Sequence, residues 1–199
     1  MKIWFASGND HKRKELDGIF TGHSLKIPKD DNIFFEPEET GASFFENALI
    51  KAKALYTLVK APVLADDSGL CVNALDGRPG IYSSRYGEKN GTKLSDLEKN
   101  MLLLQEMSGK TDRAAAFVCA FVLFINPNKF FLAQETLEGT IISQMQGKNG
   151  FGYDPLFFVP EKNCTLAELD ESSKNSISHR GKAARAIYSL LNNTCLKND

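Results

Sequence analysis

Five sets of polar residues in this chain combine types that can handle phosphate, a hard metal ion or a flat aromatic ring. The first is Ser7-Gly8-Asn9-Asp10-His11-Lys12, where an apolar strand runs into a small turn and then a helix. A helix start presents unpaired N–H groups and the positive end of the peptide dipoles. Gly8 lets the backbone approach an anion closely, and Lys12 adds a full charge, so the segment can bind phosphate although it lacks the P-loop spacing. The second is Asp66-Asp67-Ser68-Gly69 at the end of an apolar run. Neighbouring strand residues face opposite ways, so one of the two acids enters a site, where it can hold Mg²⁺ or take a proton from water. Glu36, Glu38 and Glu39 offer a further oxygen ligand.

The third is Gly150-Phe151-Gly152-Tyr153-Asp154-Pro155. An aromatic between two glycines has little local reason to be there, and a base could stack on Phe151 while Asp154 hydrogen-bonds to it. The fourth is Lys174 through Gly181, where Ser178 suits a helix cap and His179 and Arg180 open the last helix. Cations oppose the dipole at that end, and arginine suits planar or anionic partners. Lys51, one turn beyond Asn47 and off the apolar stripe of its helix, is the fifth. Each set alone also fits a plain structural reading: a capped helix, a solvated turn, a tucked aromatic, an exposed lysine.

The elements that must position these residues read as follows. Ile3–Ala6 forms a short buried strand, and Asn9 caps a helix to about Phe20. A strand near Leu25–Ile27 precedes an acidic loop, Glu36–Glu39. Ser43-Phe44-Phe45-Glu46 is a capping box for a helix with the stripe Phe45, Ala48, Leu49, Ala52, Leu55 and Val59, stopped by Pro62. Val63–Ala65 is a strand that Asp66–Gly69 interrupts, and Leu70–Asn73 resumes it. A glycine-rich loop covers 77–91, and a helix covers Lys93–Met107. Ala114–Ile125 and Phe130–Ile142 form a hairpin turned by Asn126-Pro127-Asn128. Residues 147–152 are a loop, and helical signals return at Thr165–Leu169 and His179–Leu191. Interspersed strands and helices with a hairpin predict an α/β fold with a mixed sheet.

The chain's length of 199 residues suits one domain over residues 1–199, with room for two lobes. With 24 basic and 25 acidic residues, no overall field holds the protein to nucleic acid or membrane, so anion binding must be local. The longest apolar run, Ala114–Ile125, is too short to span a bilayer, and the first residues lack a signal-peptide stretch, which makes the cytoplasm the expected compartment. Cys71, Cys119, Cys164 and Cys195 form no C-x-x-C pair and read as bystander thiols.

Taken together and in order, SGNDHK, EETG, ENALIKA, ADDSGL, PGIYSSRY, GFGYDPLFF and SHRGKA resemble the inosine triphosphate pyrophosphatase family, also called Ham1-like or RdgB-like, from Met1 to about Leu191. The resemblance implies a two-lobed fold with a long central mixed sheet and a nucleotide cleft between the lobes. It also implies a homodimer and hydrolysis of inosine and xanthosine triphosphates, ribo and deoxy, to monophosphate and pyrophosphate. By the same resemblance Ser7 to Lys12 bind the triphosphate, and Mg²⁺ is held by Glu38 or Glu39 and by Asp67. Asp67 is also the proton acceptor, and Ser68 contacts substrate. Lys51 and Lys174 are phosphate-side lysines, Phe151, Gly152, Tyr153 and Asp154 bind the base, and His179 and Arg180 contact the purine edge. Ser7 stands where many relatives have threonine; the hydroxyl is retained.

Water activated by Asp67 would then attack the α-phosphorus, with Mg²⁺, Lys12, Lys51 and Lys174 offsetting the charge of the tail. Donors facing position 6 of the purine would favour an oxo group over the amine of adenine. Two other readings fit parts of the pattern. One is a Maf-like pyrophosphatase acting on pyrimidine or modified nucleotides. The other is a non-catalytic nucleotide-binding protein, which the paired acids oppose because bare carboxylates repel phosphate.

Overall fold

The computed structural model of the chain describes residues 1–195, and their side chains as far as 193. Seven strands are formed: β1 (Lys2–Phe5), β2 (Ser24–Lys26), β3 (Val63–Val72), β4 (Ala114–Asn126), β5 (Lys129–Ile141), β6 (Phe157–Val159) and β7 (Cys164–Thr165). The helices are α1 (Asp10–Asp17), α2 (Phe44–Val59), α3 (Asp96–Glu106), α4 (Glu171–Ile177) and α5 (His179–Cys195). The strands make one sheet in the order β2-β1-β3-β4-β5-β6-β7. β1 runs parallel to β2 and β3, with Ile3 opposite Leu25 and Trp4 opposite Val63. Parallel neighbours need crossovers, and α1 and α2 supply them. β6 is antiparallel to both β5 and β7, so the sheet is mixed.

The chain divides into two compact units. The first comprises Met1–Asp67, Cys119–Glu135 and the described residues from His179 on; the second comprises Ser68–Val118 and Thr136–Ser178. Strand alternation builds two cores in the first unit. Ile3, Phe5, Leu64, Phe121 and Leu123 pack with Leu16 and Phe20, and with Ala183 and Ile187 of α5. Trp4, Val63, Ala65, Val122 and Phe124 pack with Ala48, Ala52 and Leu55 of α2. In the second unit Leu70, Val72, Phe117, Leu137 and Phe157 pack with Leu103 and Met107 of α3. Each buried Val, Leu, Ile, Phe or Met among them stabilises the fold by roughly 1.5–3 kcal/mol relative to exposure.

Several elements differ from the sequence reading. β3 is continuous through Asp66–Gly69, where an interruption was expected. Two acids in a row can stay extended because each meets its own partners, described below. α1 stops at Asp17, yet Phe20 N–H still bonds to Leu16 O at 3.0 Å and its ring stays in the core. α3 begins at Asp96 behind a full capping box of Ser95 and Glu98, not at Lys93. The box at Ser43 is half made: Ser43 Oγ accepts from Glu46 N, but the Glu46 carboxylate accepts from Ala42 N. The short strands β6 and β7 and the helix α4 were not foreseen. Among the described residues no helix is long and apolar enough to cross a membrane. Cys71, Cys119 and Cys164 are free thiols; the Cys195 side chain lies outside the described residues.

Candidate active site

In the first unit, β1 delivers Ser7 and Gly8 to the start of α1. Asn9 caps that helix, its Oδ1 accepting from the His11 and Lys12 amides at 2.9 and 3.2 Å, while its own N–H donates to Ser7 Oγ at 3.1 Å. The cap therefore takes two of the amides that the sequence offered to an anion, and the Lys12 ammonium carries more of the segment's attraction. Gly8, Asp10 and His11 are exposed, and nothing stands within 4 Å of where a Gly8 side chain would begin.

The two adjacent acids of β3 serve different partners, as opposite-facing strand positions must. Asp66 is 1% exposed and accepts from Lys12 Nζ at 2.7 Å, with Arg180 Nε at 3.6 Å. Arg180, also buried, donates through Nη1 to Glu15 Oε2 at 2.6 Å. Burial would raise the Asp66 carboxyl, but the neighbouring Lys12, Arg180 and Lys51 outweigh it and hold the group well below the usual carboxylate range. Asp67 accepts from Asn47 Nδ2 at 3.2 Å and from Lys51 Nζ at 3.3 Å. Here burial dominates over the opposing Lys51 charge, and Glu39 adds to it, so Asp67 is pushed up. Two neighbouring carboxylates with proton affinities driven apart is the pattern expected of a base beside a permanently ionised partner.

Lys51 is buried, not solvated, and donates to Glu39 Oε1 at 2.6 Å as well as to Asp67. Burial would lower its ammonium, but Asp67, Asp66 and Glu39 raise it, and it stays charged. Asn47 ties the acidic loop to the strand: its Oδ1 accepts from Gly41 N at 2.8 Å while its amide holds Asp67. Of the two candidate loop acids, Glu39 joins this group and Glu38 is exposed.

In the second unit, the loop after β5 folds Phe151–Asp154 into a tight turn. Asp154 Oδ2 accepts from Phe151 N at 2.9 Å and from Lys174 Nζ at 2.7 Å. Gly150 has φ 73°, and a side chain there would collide with the Asp154 carboxylate, so only glycine fits. The Lys174 ammonium lies 4.6 Å from the centre of the Phe151 ring, in cation–π range. Lys174 comes from α4, which Asp170 caps by accepting from Ser173 N at 2.8 Å. Tyr153 is buried and donates to Ser83 O at 3.0 Å. Ser68 follows Asp67 on β3 and is half-buried.

The structure thus sorts the expected site residues into two groups. Ser7 to Lys12, Glu39, Lys51, Asp67 and Arg180 belong to the first unit, with buried His179 next to Arg180. Phe151 to Asp154 and Lys174 belong to the second. Lys174, expected on the phosphate side, attends the aromatic turn. Arg180, expected at the purine edge, is held by Glu15 and Asp66. Glu15 and Asn47 were missed. The signals were an acid one turn beyond Lys12 and an amide one turn before Lys51.

The Ham1 family model matches residues 3–190. The chain belongs to the Ham1 family. Relatives in this family include the dITP/XTP pyrophosphatase of Treponema denticola, 52% identical over 190 residues and 96% of each chain. That of an Exiguobacterium species is 45% identical over 189 residues, covering 94% of this chain and 95% of the relative. The Ham1 protein of Coxiella burnetii matches with a TM-score of 0.88 at 38% identity, over 97% of this chain and 99% of that one. The Ham1 protein of Staphylococcus aureus matches at 0.87 and 36%, over 98% and 100%. These Ham1 matches extend over both units, so the charged group and the aromatic turn lie within the shared fold.

Proposed function

We infer that this Ham1-family chain is a dITP/XTP pyrophosphatase, which hydrolyses deaminated purine nucleoside triphosphates to the monophosphate and pyrophosphate. The observation that carries the reading is the Glu39–Lys51–Asp67 arrangement, two carboxylates sharing one buried ammonium. Lys12 and Lys51 attract the polyphosphate, and the Phe151 ring stacks on the base. Asp67 orients the attacking water and accepts its proton. The water oxygen bonds to the α-phosphorus, the bond from that phosphorus to the bridging oxygen breaks, and pyrophosphate departs with the electron pair. No covalent intermediate is required.

Magnesium fits the residues present. Mg²⁺ favours hard oxygens and is held through one or two carboxylates, water and substrate phosphate, not in an all-protein cage. Glu39 and Asp67, both bonded to Lys51 Nζ, bring two such carboxylates to one place. Glu39 and Asp67 would be its protein ligands. When bound, it would supply positive charge to the phosphate oxygens in the manner usual for phosphoryl transfer. The same reading takes the chain as one domain that works in the cytoplasm as a homodimer, and sedimentation would test the dimer.

A panel of nucleoside triphosphates with Mg²⁺, scored for pyrophosphate against orthophosphate, tests the activity. Pyrophosphate release from inosine and xanthosine triphosphates, at rates far above those for adenosine and guanosine triphosphates, is expected. Orthophosphate as the product, or equal rates on all four, would overturn the reading.

A further inference from the structure

α3 has no residue in the set expected to bind substrate, yet it grips the centre of the aromatic turn. Gly152 N–H donates to Asp96 Oδ2 at 2.7 Å, and Gly152 C=O accepts from Asn100 Nδ2 at 2.8 Å. Asp96 and Asn100 are four residues apart on α3, hence on one face. The other carboxylate oxygen of Asp96 accepts from Lys99 Nζ at 2.7 Å, which orients the group.

Both peptide planes flanking Gly152 are therefore pinned. Gly152, at φ 63°, is the residue with the most conformational freedom in the turn. Phe151 stands directly before it. Left unheld, Gly152 would let the ring swing through a range of orientations, and a base stacks well on only a few of them.

Asn100 shows a cost that packing does not explain. Its side chain is 2% exposed, and among the described residues Oδ1 has no hydrogen-bond partner. Swapping the amide would only set oxygen against the Gly152 carbonyl. A leucine of similar size would remove the buried orphan acceptor, and such groups ask for a reason. The bond to Gly152 supplies one.

We propose that Asp96 and Asn100 are positioning residues for base recognition, which fix Gly152 and so hold the Phe151 ring in stacking orientation. This rests on the reading of Phe151–Asp154 as the base site. A corollary is that Gly152 cannot donate its N–H to the purine edge, since that group is already engaged by Asp96. Its contribution is a bare surface: nothing lies within 4 Å of where its side chain would begin.

The test compares Phe151→Ala, Asn100→Leu, Asp96→Ala and Asp96→Asn by steady-state pyrophosphate release from inosine and adenosine triphosphates, alongside thermal unfolding. Asn100→Leu and Asp96→Ala should each raise KM for inosine triphosphate about tenfold, the size of one lost hydrogen bond. kcat should change little, and the preference for inosine over adenosine triphosphate should narrow. Asp96→Asn keeps an oxygen acceptor and should recover most of the wild-type KM. A merely structural role for Asn100 predicts instead lower thermal stability with KM and preference untouched. If Phe151→Ala raises KM while both α3 variants behave as wild type, the clamp is wrong and the base site stands. If Phe151→Ala leaves KM unchanged, the base reading falls, and this inference with it. Should Asn100→Leu fail to fold, the half-exposed Asp96 pair decides alone.

Discussion

In the first unit, side-chain charge sets the geometry: Lys12 and Arg180 meet at Asp66, and Lys51 links Glu39 to Asp67. In the second, the Lys174–Asp154 ion pair supports a turn whose backbone N–H and C=O groups are held by Asp154, Asp96 and Asn100. The two regions should respond differently to substitution. Taking one member from a buried ionic group leaves an uncompensated charge and disturbs stability and chemistry together. Loosening a hydrogen-bonded turn moves a ring and changes how well substrate is held, with little effect on the reacting atoms.

The largest effect should come from Asp67→Asn. Without a proton acceptor at that position, pyrophosphate release should fall by about a thousandfold or more, within the range for a lost general base. Calorimetry should still detect nucleotide binding, because Lys12 and Lys51 remain. Near-normal turnover would remove Asp67 from its role and with it the functional half of the contrast.

Next is Lys51→Met. It removes attraction for the tail, so kcat/KM should drop by about a hundredfold, the order of one close charge pair in a partly buried site. It also leaves Glu39 and Asp67 without their shared cation. Affinity of the free protein for Mg²⁺ should therefore rise, measured by titration in the absence of nucleotide. Weaker Mg²⁺ binding in this variant would mean that the two carboxylates do not act on one ion.

Phe151→Ala should have a smaller and purely binding effect. Base stacking on an aromatic ring contributes about 1–3 kcal/mol, so KM for inosine triphosphate should rise by roughly tenfold to a hundredfold with kcat nearly constant. A fall in kcat with unchanged KM would show that the turn acts on the chemistry and would erase the distinction between the regions.

Sequence showed the parts of this arrangement that depend on neighbours along the chain. Asn9 as a cap, the stripe on α2 and the apolar run of β4 follow from spacing alone. The continuity of β3 did not, because Asp66-Asp67-Ser68-Gly69 has turn composition and is held extended by partners far away in sequence. Asp66 meets Lys12 54 residues earlier, and Asn100 meets Gly152 52 residues later. Glu15 and Arg180 are 165 apart, so the local signal, an acid one turn beyond Lys12, does not point to Arg180. Taken alone, Lys51 also fits an exposed helix lysine for the same reason. Only the fold brings Glu39 and Asp67 to it.

The smallest effect separates the two acids of β3 by the sign of their response to pH. Asp66 titrates in the fold well below the ordinary aspartate value, so the folded form binds fewer protons than the unfolded chain. Its stabilisation is complete above that value and is lost as pH falls toward the folded one. Asp67 is raised, so it opposes stability above its folded value and recovers that loss as pH falls. The neighbours partly cancel, and each contributes at most about 1.4 kcal/mol per pH unit. Urea unfolding between pH 5 and 3, run in wild type and Asp67→Asn, exposes the cancellation, since other carboxylates contribute equally to both. Stability should fall more steeply with acid in the variant, where the Asp66 contribution is no longer masked. A shallower fall would mean that burial does not raise Asp67, and the two acids would then differ in partners but not in proton affinity.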